Sequence, residues 1–186
     1  MKYQTLTPDA YFHIYNRGNN KEDIFKEKRN YNYFLTLLEK HILEVCDIYA
    51  YCLLKNHFHL VVKTKPNYTE KFISTKFSNL FNAYSKAINK GYNREGSLFR
   101  NPFSRKKIGN ENYLKQLIIY THVNPEHHGM VDDFRTYPHS SYASYLSNKP
   151  SKLKRAFILS LFDDISNFKH AHLDKRIKLK DDLMLE

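Results

Sequence analysis

The chain contains only two cysteines, no tryptophan and no long apolar run. Cys46 and Cys52 do not form a CxxC pair, so the sequence indicates neither a disulfide scaffold nor a thiolate zinc site. No hydrophobic stretch approaches the roughly 20 residues that a helix needs to cross a bilayer, and residues 1–10 are mostly polar. These absences predict a soluble protein of the reducing cytoplasm without a membrane partner.

Acidic residues are also scarce relative to basic ones. The 186 residues include 30 Lys and Arg but only 19 Asp and Glu, which gives a formal net charge of +11. Because such a charge attracts polyanions, nucleic acid is the leading partner, although a basic but solvated surface has the same composition. Hydrophobic residues make up 41% of the chain, enough for one main core.

Hydrophobic spacing and turn signals divide the chain into alternating strands and helices. The predicted elements are a strand at 11–15, a helix from an N-cap at Asn30 to Val45, a hairpin of strands 48–54 and 57–64, a helix from Thr69 to Gly91, an edge strand or extended segment at 97–108, and a helix at 112–123 that Pro125 ends. This order predicts an α+β fold, a ferredoxin-like antiparallel sheet with helices. We expect residues 1–137 to form the main domain and residues 138–186 a helical C-terminal appendage.

The segment His57-Phe58-His59 is the strongest functional signal in the chain. Side chains two residues apart in a strand point to the same face, so the two imidazoles could hold one metal ion. Two imidazole ligands leave positions open for substrate oxygens, as a catalytic metal requires. An ordinary pair of surface histidines is the alternative. A second pair, His170 and His172, falls in a helical stretch, where residues two apart point about 200° apart and cannot share an ion.

Tyr120 and Asn124 lie four residues apart in the last of these helices and therefore share one face. Asn124 could supply a third metal ligand, and Tyr120 a hydroxyl nucleophile. Because a phenol has a pKa of about 10, it attacks poorly unless the metal activates the electrophile. With the basic surface, these groups suggest cleavage of a DNA strand. Packing is the alternative role for Tyr120, and Tyr113, on the same side of the helix, is the alternative nucleophile.

Three segments resemble, in the same order, the sequence blocks of the HUH single-tyrosine transposases: 11–20 (YFHIYNRGNN), 50–60 (AYCLLKNHFHL) and 120–125 (YTHVNP). Weaker blocks lie at 96–99 and 140–142. The likeness spans residues 11–146 and is greatest to the REP-associated tyrosine transposase branch. The chain departs from the pattern at Lys55, where many relatives have proline, and after Lys149, where no block matches.

The resemblance implies an activity as well as a ferredoxin-like fold with a catalytic helix. It implies that His57 and His59 bind Mg²⁺ or Mn²⁺ and that Tyr120 forms a 5′-phosphotyrosine intermediate. Asn124, the third metal ligand, stands where insertion-sequence relatives have glutamine. The implied substrate is single-stranded DNA with hairpins, which is cut and rejoined without a nucleotide cofactor. The implied location is the cytoplasm, in association with the nucleoid.

Five basic residues are candidates for contacts with DNA phosphates: Arg17, Arg100, Arg105, Lys106 and Lys107. Such contacts set affinity and its salt dependence more than sequence preference, and solvated charge is the alternative for each. Two other functions stay open, a domesticated DNA-binding protein that does not cut and a metal-dependent hydrolase that uses activated water. The oligomeric state is open between a monomer and a homodimer.

Overall fold

A four-stranded antiparallel sheet is the centre of the computed structural model, which describes residues 4–174. The strands are β1 (Tyr11–Arg17), β2 (Cys46–Leu53), β3 (His57–Thr64) and β4 (Ser104–Ile108). They lie in the order β2-β3-β1-β4, and each strand pairs antiparallel with its neighbours. This order confirms the predicted α+β fold with a ferredoxin-like sheet.

Helices occupy most of the rest of the described chain. They are α1 (Lys28–Ile42), α2 (Glu70–Gly91), α3 (Glu111–His127), α4 (Tyr142–Tyr145), α5 (Arg155–Leu161) and α6 (Ile165–Leu173). Short 3₁₀ turns lie at Asn19–Lys21 and Phe134–Thr136. No helix within residues 4–174 has the length and apolar character of a transmembrane span.

Helices α1 and α2 cover one face of the sheet. The alternate β3 residues Phe58, Leu60 and Val62 are fully buried in one hydrophobic cluster with residues of both helices. Strand β3 therefore has one wholly apolar face, as its period-two spacing predicts. Helix α2 begins where predicted, because the side chain of Thr69 accepts a hydrogen bond from the amide of Phe72.

Helix α3 and the C-terminal helices cover the opposite face. Val61 of β3 shares a second hydrophobic cluster with Leu117 of α3 and with Tyr145 and Phe168 from the C-terminal helices. The sheet therefore lies between two helical layers. On the face of β3 that carries the histidines, His59 and Val61 are covered by protein, and His57, the first residue of the strand, is half-buried.

The segment after residue 138 attaches along the edge strand β2. Ser140 forms an antiparallel bridge with Cys52, and the hydroxyl of Ser141 accepts a hydrogen bond from the amide of Tyr51 at 2.9 Å. The segment contains α4, α5 and α6, which confirms a helical appendage, while residues 175–186 lie outside the described residues. This C-terminal segment shares a hydrophobic cluster with the sheet. The packing therefore does not separate two domains at residue 137, and that boundary stays a prediction.

Both cysteines are buried in β2. Cys46 and Cys52 have no exposed surface and are free thiols. Burial raises the pKa of Cys46 to about 12 and raises that of Cys52 well above its ordinary value. Both thiols are therefore protonated and inaccessible in the folded protein.

Helix α3 is longer than predicted because it continues through Pro125 to His127. Pro125 has no amide hydrogen to donate to the carbonyl of Thr121, but it lies in the last turn, where the helix loses little by this. The amide of His128 donates to the carbonyl of Asn124 at 3.1 Å and closes that turn. The prediction that Pro125 ends the helix was wrong, and the extra turn brings two more histidines toward the sheet.

Two other predicted boundaries also differ. Asn30 is not the N-cap of α1, because its side-chain oxygen reaches back to accept hydrogen bonds from the amides of Lys26 and Glu27. Glu27 is the N-cap, and it forms a reciprocal capping box with Asn30. Within segment 97–108 only β4 is a strand, at the edge of the sheet. Residues 97–103 are irregular, with bends and one isolated bridge from Phe99 to Gly18.

Candidate active site

His57 and His59 project from β3 toward α3, on the same face as their spacing predicts. Their ring centroids lie 5.2 Å apart, with the ring planes at 87°. His59 is 2% exposed, whereas His57 is half-buried and borders solvent. The alternative of two surface histidines is therefore wrong for His59, which lies inside the molecule.

Tyr120 and Asn124 of α3 meet these two histidines. The rings of Tyr120 and His59 are nearly perpendicular, with centroids 5.4 Å apart. Asn124 is fully buried, and its carboxamide lies close enough to His57 to favour the protonated imidazole, yet neither of its atoms makes a hydrogen bond of normal geometry. Tyr120 is 4% exposed, so it packs as well as facing the histidines.

Tyr113, the alternative nucleophile, has different neighbours. The ammonium of Lys106 on β4 lies 5.5 Å from the centroid of its ring. Its hydroxyl is buried and makes no hydrogen bond. The contact with His59 therefore favours Tyr120 over Tyr113 as the phenol of the site.

His13 of β1 is a third histidine of the site, which the sequence did not reveal. It is fully buried, and its Nε2 atom lies 2.9 Å from Nδ1 of His59 in a hydrogen bond. Its ring also stacks on Tyr15, with centroids 4.7 Å apart. If His59 offers the Nε2 lone pair to a ligand, its Nδ1 must carry the proton and donate to His13. His13 thus fixes the orientation of the His59 ring.

His127 and His128 also reach the site, at the end of α3. The ring of His128 lies 4.9 Å from that of His57, and the ring of His127 lies 6.4 Å from that of Tyr120. Both residues follow Pro125, which marks a helix end by local rules, so the sequence did not predict their place in the site. Had α3 been continued, helical spacing would have placed His127 one turn after Asn124 and two turns after Tyr120.

Burial keeps His13, His57 and His59 neutral at physiological pH. Loss of solvation lowers the pKa of His57 to about 4, and the neighbouring His128 acts in the same direction. Burial, with a smaller effect of Lys106, lowers the pKa of His13 to about 3. Burial together with the adjacent histidines holds the pKa of His59 well below its ordinary value. A neutral imidazole keeps a lone pair on one nitrogen, and this is the form that binds cations.

A divalent cation fits donor atoms that the site leaves without partners. Nε2 of His59 and Oδ1 of Asn124 are buried and make no hydrogen bond, and leaving such an atom unsatisfied costs about 1–3 kcal/mol. Imidazole nitrogens and an amide oxygen form a donor set that suits Mn²⁺, and the oxygen also suits Mg²⁺. Within residues 4–174, no group of three or more His, Cys, Asp or Glu side chains converges as a metal site. A cation here would draw on the amide oxygen of Asn124, a donor outside that set of side chains, as well as on the imidazoles.

A cleft of about 680 Å³ is lined by both histidines and by Arg17, Lys21 and Arg100. Arg17 lies directly opposite His57 in the pairing of β1 with β3. The amide of Arg100 donates to the carbonyl of Arg17 at 3.0 Å, which ties the loop of Arg100 to the end of β1. Two of the predicted phosphate-binding residues therefore border the histidines. Lys21 was not predicted, because the sequence does not show in which direction the loop after β1 runs.

The basic residues of β4 lie elsewhere. The guanidinium of Arg105 lies 4.7 Å from the centroid of the Phe103 ring and donates to the hydroxyl of Ser74 on α2 at 3.3 Å. Lys106 lies over a tyrosine ring of α3, and the ammonium of Lys107 donates to a threonine near the N-terminus. In the described part of the chain, none of these three residues is among those that line the cleft.

Comparisons with known proteins give the family and the fold of the chain. The profile of the IS200-like transposase family matches residues 7–124, more than half of the chain. A solved structure of a REP-associated tyrosine transposase bound to a REP hairpin has a TM-score of 0.64 and 15% sequence identity, covers 81% of this chain and 87% of its own, and so shares the fold. No curated protein matches the chain. The resemblance read from the sequence is confirmed, and the chain belongs to the IS200-like transposases, a family that acts on DNA.

Proposed function

We propose that this transposase is a metal-dependent endonuclease and strand transferase for single-stranded DNA, with Tyr120 as its nucleophile. The observation that carries the proposal is the contact between the rings of Tyr120 and His59, whose centroids lie 5.4 Å apart. It brings a tyrosine ring from α3 against His59, one of the two neighbouring imidazoles on β3. Tyrosine is one of the side chains that can form a covalent intermediate.

The proposed cleavage step exchanges one phosphoester bond for another. The phenolic oxygen of Tyr120 attacks the phosphorus, and the bond from phosphorus to the 3′ oxygen of the leaving strand breaks. The 3′ oxygen takes up a proton in place of the one that the phenol loses. The product is a 5′-phosphotyrosine, and attack on it by another 3′ hydroxyl joins the strands. No nucleotide cofactor is needed, because the phosphotyrosine bond replaces the broken phosphoester bond and keeps its energy for the joining step.

The side chains around Tyr120 have distinct roles in this proposal. His57, His59 and Asn124 would hold a Mg²⁺ or Mn²⁺ ion, which would polarise the phosphoryl oxygens of the substrate. The hydrogen bond with His13 orients the His59 ring, so that the Nε2 atom is turned to the ligand. The edge-to-face contact with His59 in turn limits the positions open to the phenol.

Hairpin-flanked single-stranded DNA is the proposed substrate. The cleft beside the histidines is lined by Arg17, Lys21 and Arg100, and these cations would neutralise backbone phosphates. The solved transposase that shares this fold is bound to a REP hairpin, which supports a hairpin as part of the target. Unpaired DNA is the part that we expect in the cleft, beside His57 and His59.

We also propose that one chain suffices for the reaction. His57, His59, Tyr120 and Asn124 approach one another within a single copy. A homodimer would therefore add a second copy of the site rather than complete the first.

A non-cleaving DNA-binding protein is the second candidate. The observation that favours it is the burial of Tyr120, which is 4% exposed. A phenol so enclosed must gain access to the phosphate before it can attack. The binding alternative keeps the basic cleft and assigns Tyr120 a packing role only.

Adduct formation tests the proposal. Incubation of labelled, hairpin-flanked single-stranded DNA with the protein and Mn²⁺ should give a covalent adduct that survives denaturing electrophoresis. Tyr120→Phe should abolish the adduct, and Tyr113→Phe, the matched control, should retain it. An adduct that persists in Tyr120→Phe rules out this nucleophile, and strand scission without any adduct indicates a water-using hydrolase. Binding without cleavage in the presence of each divalent ion supports the second candidate.

A further inference from the structure

A second histidine pair lies on the back of α3, away from the cleft. His122 lies between Tyr120 and Asn124 in the sequence and is fully buried. Its side chain points away from the helix face that carries those two residues. Its Nδ1 atom lies 2.9 Å from Nε2 of His172 on α6, and its Nε2 atom lies 2.7 Å from the hydroxyl of Ser141. Both ring nitrogens of His122 are thus hydrogen-bonded, and both partners belong to the C-terminal segment.

The chemistry of the end groups fixes the direction of these hydrogen bonds. The carbonyl of Phe168 can only accept, so Nδ1 of His172, at 2.8 Å, carries the proton and donates to it. In the neutral ring, Nε2 of His172 must then accept from Nδ1 of His122. Nε2 of His122 must accept in its turn. The hydroxyl of Ser141 therefore gives its proton to that nitrogen, at 2.7 Å, rather than to the carbonyl of Tyr51, at 3.2 Å. Both histidines are therefore in the Nδ1–H form.

The chain of hydrogen bonds is anchored at both ends. At one end it reaches the backbone of α6 through Phe168. At the other end the hydroxyl of Ser141 accepts from the amide of Tyr51 on β2 at 2.9 Å. His172 is fully buried, like His122. These bonds therefore connect the back of α3 to the sheet and to α6 at once.

Helix α3 depends on directional bonds because its packing has little direction. Every residue from Leu117 to Pro125 is buried, so protein surrounds this part of the helix on all sides. A helix buried all round has no single apolar face whose burial would select one rotation about the helix axis. Hydrogen bonds at both nitrogens of His122 do not tolerate it, because their angles must be kept.

We propose that His172, acting through His122, is a positioning residue that sets the rotation of α3 and thereby holds Tyr120 and Asn124 against the histidines of β3. The effect of this positioning on catalysis rests on the proposed function, in which Tyr120 is the nucleophile. Side chains reach about 5–6 Å from a helix axis, so a rotation of about 10–20° displaces the phenolic oxygen by about 1–2 Å. A displacement of about 1 Å can cost about 100-fold in rate.

Three variants of α6 separate positioning from packing. His172→Phe keeps a ring of similar size but removes the acceptor for His122. His172→Gln restores an acceptor at the distal position. His170→Ala is the matched control, because His170 is exposed on the same helix. We expect His172→Phe to lower the rate of adduct formation with Mn²⁺ by about 10- to 100-fold, with a DNA Kd within about twofold of the wild type. His172→Gln should recover most of the rate, and His170→Ala should change nothing.

Nuclear magnetic resonance supplies readouts that do not depend on activity. Long-range ¹H–¹⁵N spectra of the metal-free protein should show both His122 and His172 in the Nδ1–H form. In ¹³C-tyrosine-labelled protein, the ring resonances of Tyr120, which are shifted by the neighbouring His59 ring, should move in His172→Phe and stay in place in His172→Gln. If His172→Phe does not fold, Ser141→Ala takes its place, because it removes the hydrogen bond at the other ring nitrogen of His122. The Tyr120 resonances should then move in Ser141→Ala.

The outcomes are distinguishable. An Nε2–H form of either buried histidine, or Tyr120 resonances and an adduct rate that are unchanged in folded His172→Phe, overturns the positioning role. A wild-type protein that forms no adduct contradicts the proposed function, and the Tyr120 resonances still decide whether His172 sets α3. Loss of rate that His172→Gln does not recover, with Tyr120 unmoved, also overturns the inference.

Discussion

Lowering the pH from 7.5 to 5.0 should destabilise the metal-free protein strongly, through histidines that are buried in the neutral form. Burial lowers the pKa of His57 and His172 to about 4 and that of His13 to about 3. In an unfolded chain an imidazole has a pKa of about 6.5. As the pH falls below that value, the unfolded state binds protons before the folded state does, so stability is full above it and is lost toward the folded pKa values.

The expected loss is large relative to the stability of a domain. For one histidine with a folded pKa of about 4, the free energy of unfolding falls by about 2 kcal/mol between pH 7.5 and 5.0. Three such sites give about 6 kcal/mol, against a typical total of about 5–15 kcal/mol. Burial also lowers the pKa of His59 and His122, which act in the same direction. The carboxylates of Glu22 and Glu27, whose pKa values are lowered by hydrogen bonds to Arg94 and Tyr92, titrate below this window.

Urea unfolding followed by circular dichroism, at closely spaced pH values with a chelator present, measures this effect. Near pH 5.5 each buried imidazole should contribute about 1 kcal/mol per pH unit to the slope of the unfolding free energy. His172→Gln removes one of them and should reduce the slope by that amount. A free energy that stays constant from pH 7.5 to 5.0 would refute the burial of these rings in the neutral form.

Three further predictions concern the cleft. His13→Phe should weaken Mn²⁺ binding by about 10- to 100-fold in a titration followed by electron paramagnetic resonance, because His59 loses its orienting partner; equal affinity would contradict that role. Arg100→Ala should reduce the slope of log affinity for single-stranded DNA against log salt by about 0.7, the value for one lost phosphate contact, while Lys107→Ala, outside the cleft, should leave it unchanged. Mn²⁺ affinity should vary by less than about twofold between pH 7.5 and 6.0, whereas a histidine pair with ordinary pKa values would lose about 14-fold.

Local periodicity was sufficient to predict the pairs of residues that face each other in the site. Alternation in a strand put His57 and His59 on one side, and one helical turn put Tyr120 and Asn124 on one side. The order of the elements predicted the sheet. Nothing in a single sequence gives the register between strands. His13 lies opposite Val61 and bonds through its ring to His59, two residues along β3, so its place in the site could not be predicted.

Other parts of the site depend on tertiary packing, which overrides local rules. By local rules Pro125 ends a helix, but the buried last turn of α3 tolerates it. Because the helix continues, His128 lies beside His57. In the sequence, His172 stands out only as half of an HxH pair, and its helical setting argues against a metal site. Its hydrogen bond to His122 needs the docked position of α6, which depends on the whole C-terminal segment.

The enclosure of both native thiols has a practical use. Cys46 and Cys52 have no exposed surface, and a thiol reagent needs an accessible thiolate. A single cysteine introduced at an exposed position, such as Lys149, would therefore be the only fast-reacting group in the described part of the folded chain. A fluorophore attached there would allow one DNA hairpin to be followed on one protein molecule, with the native residues of the sheet left in place.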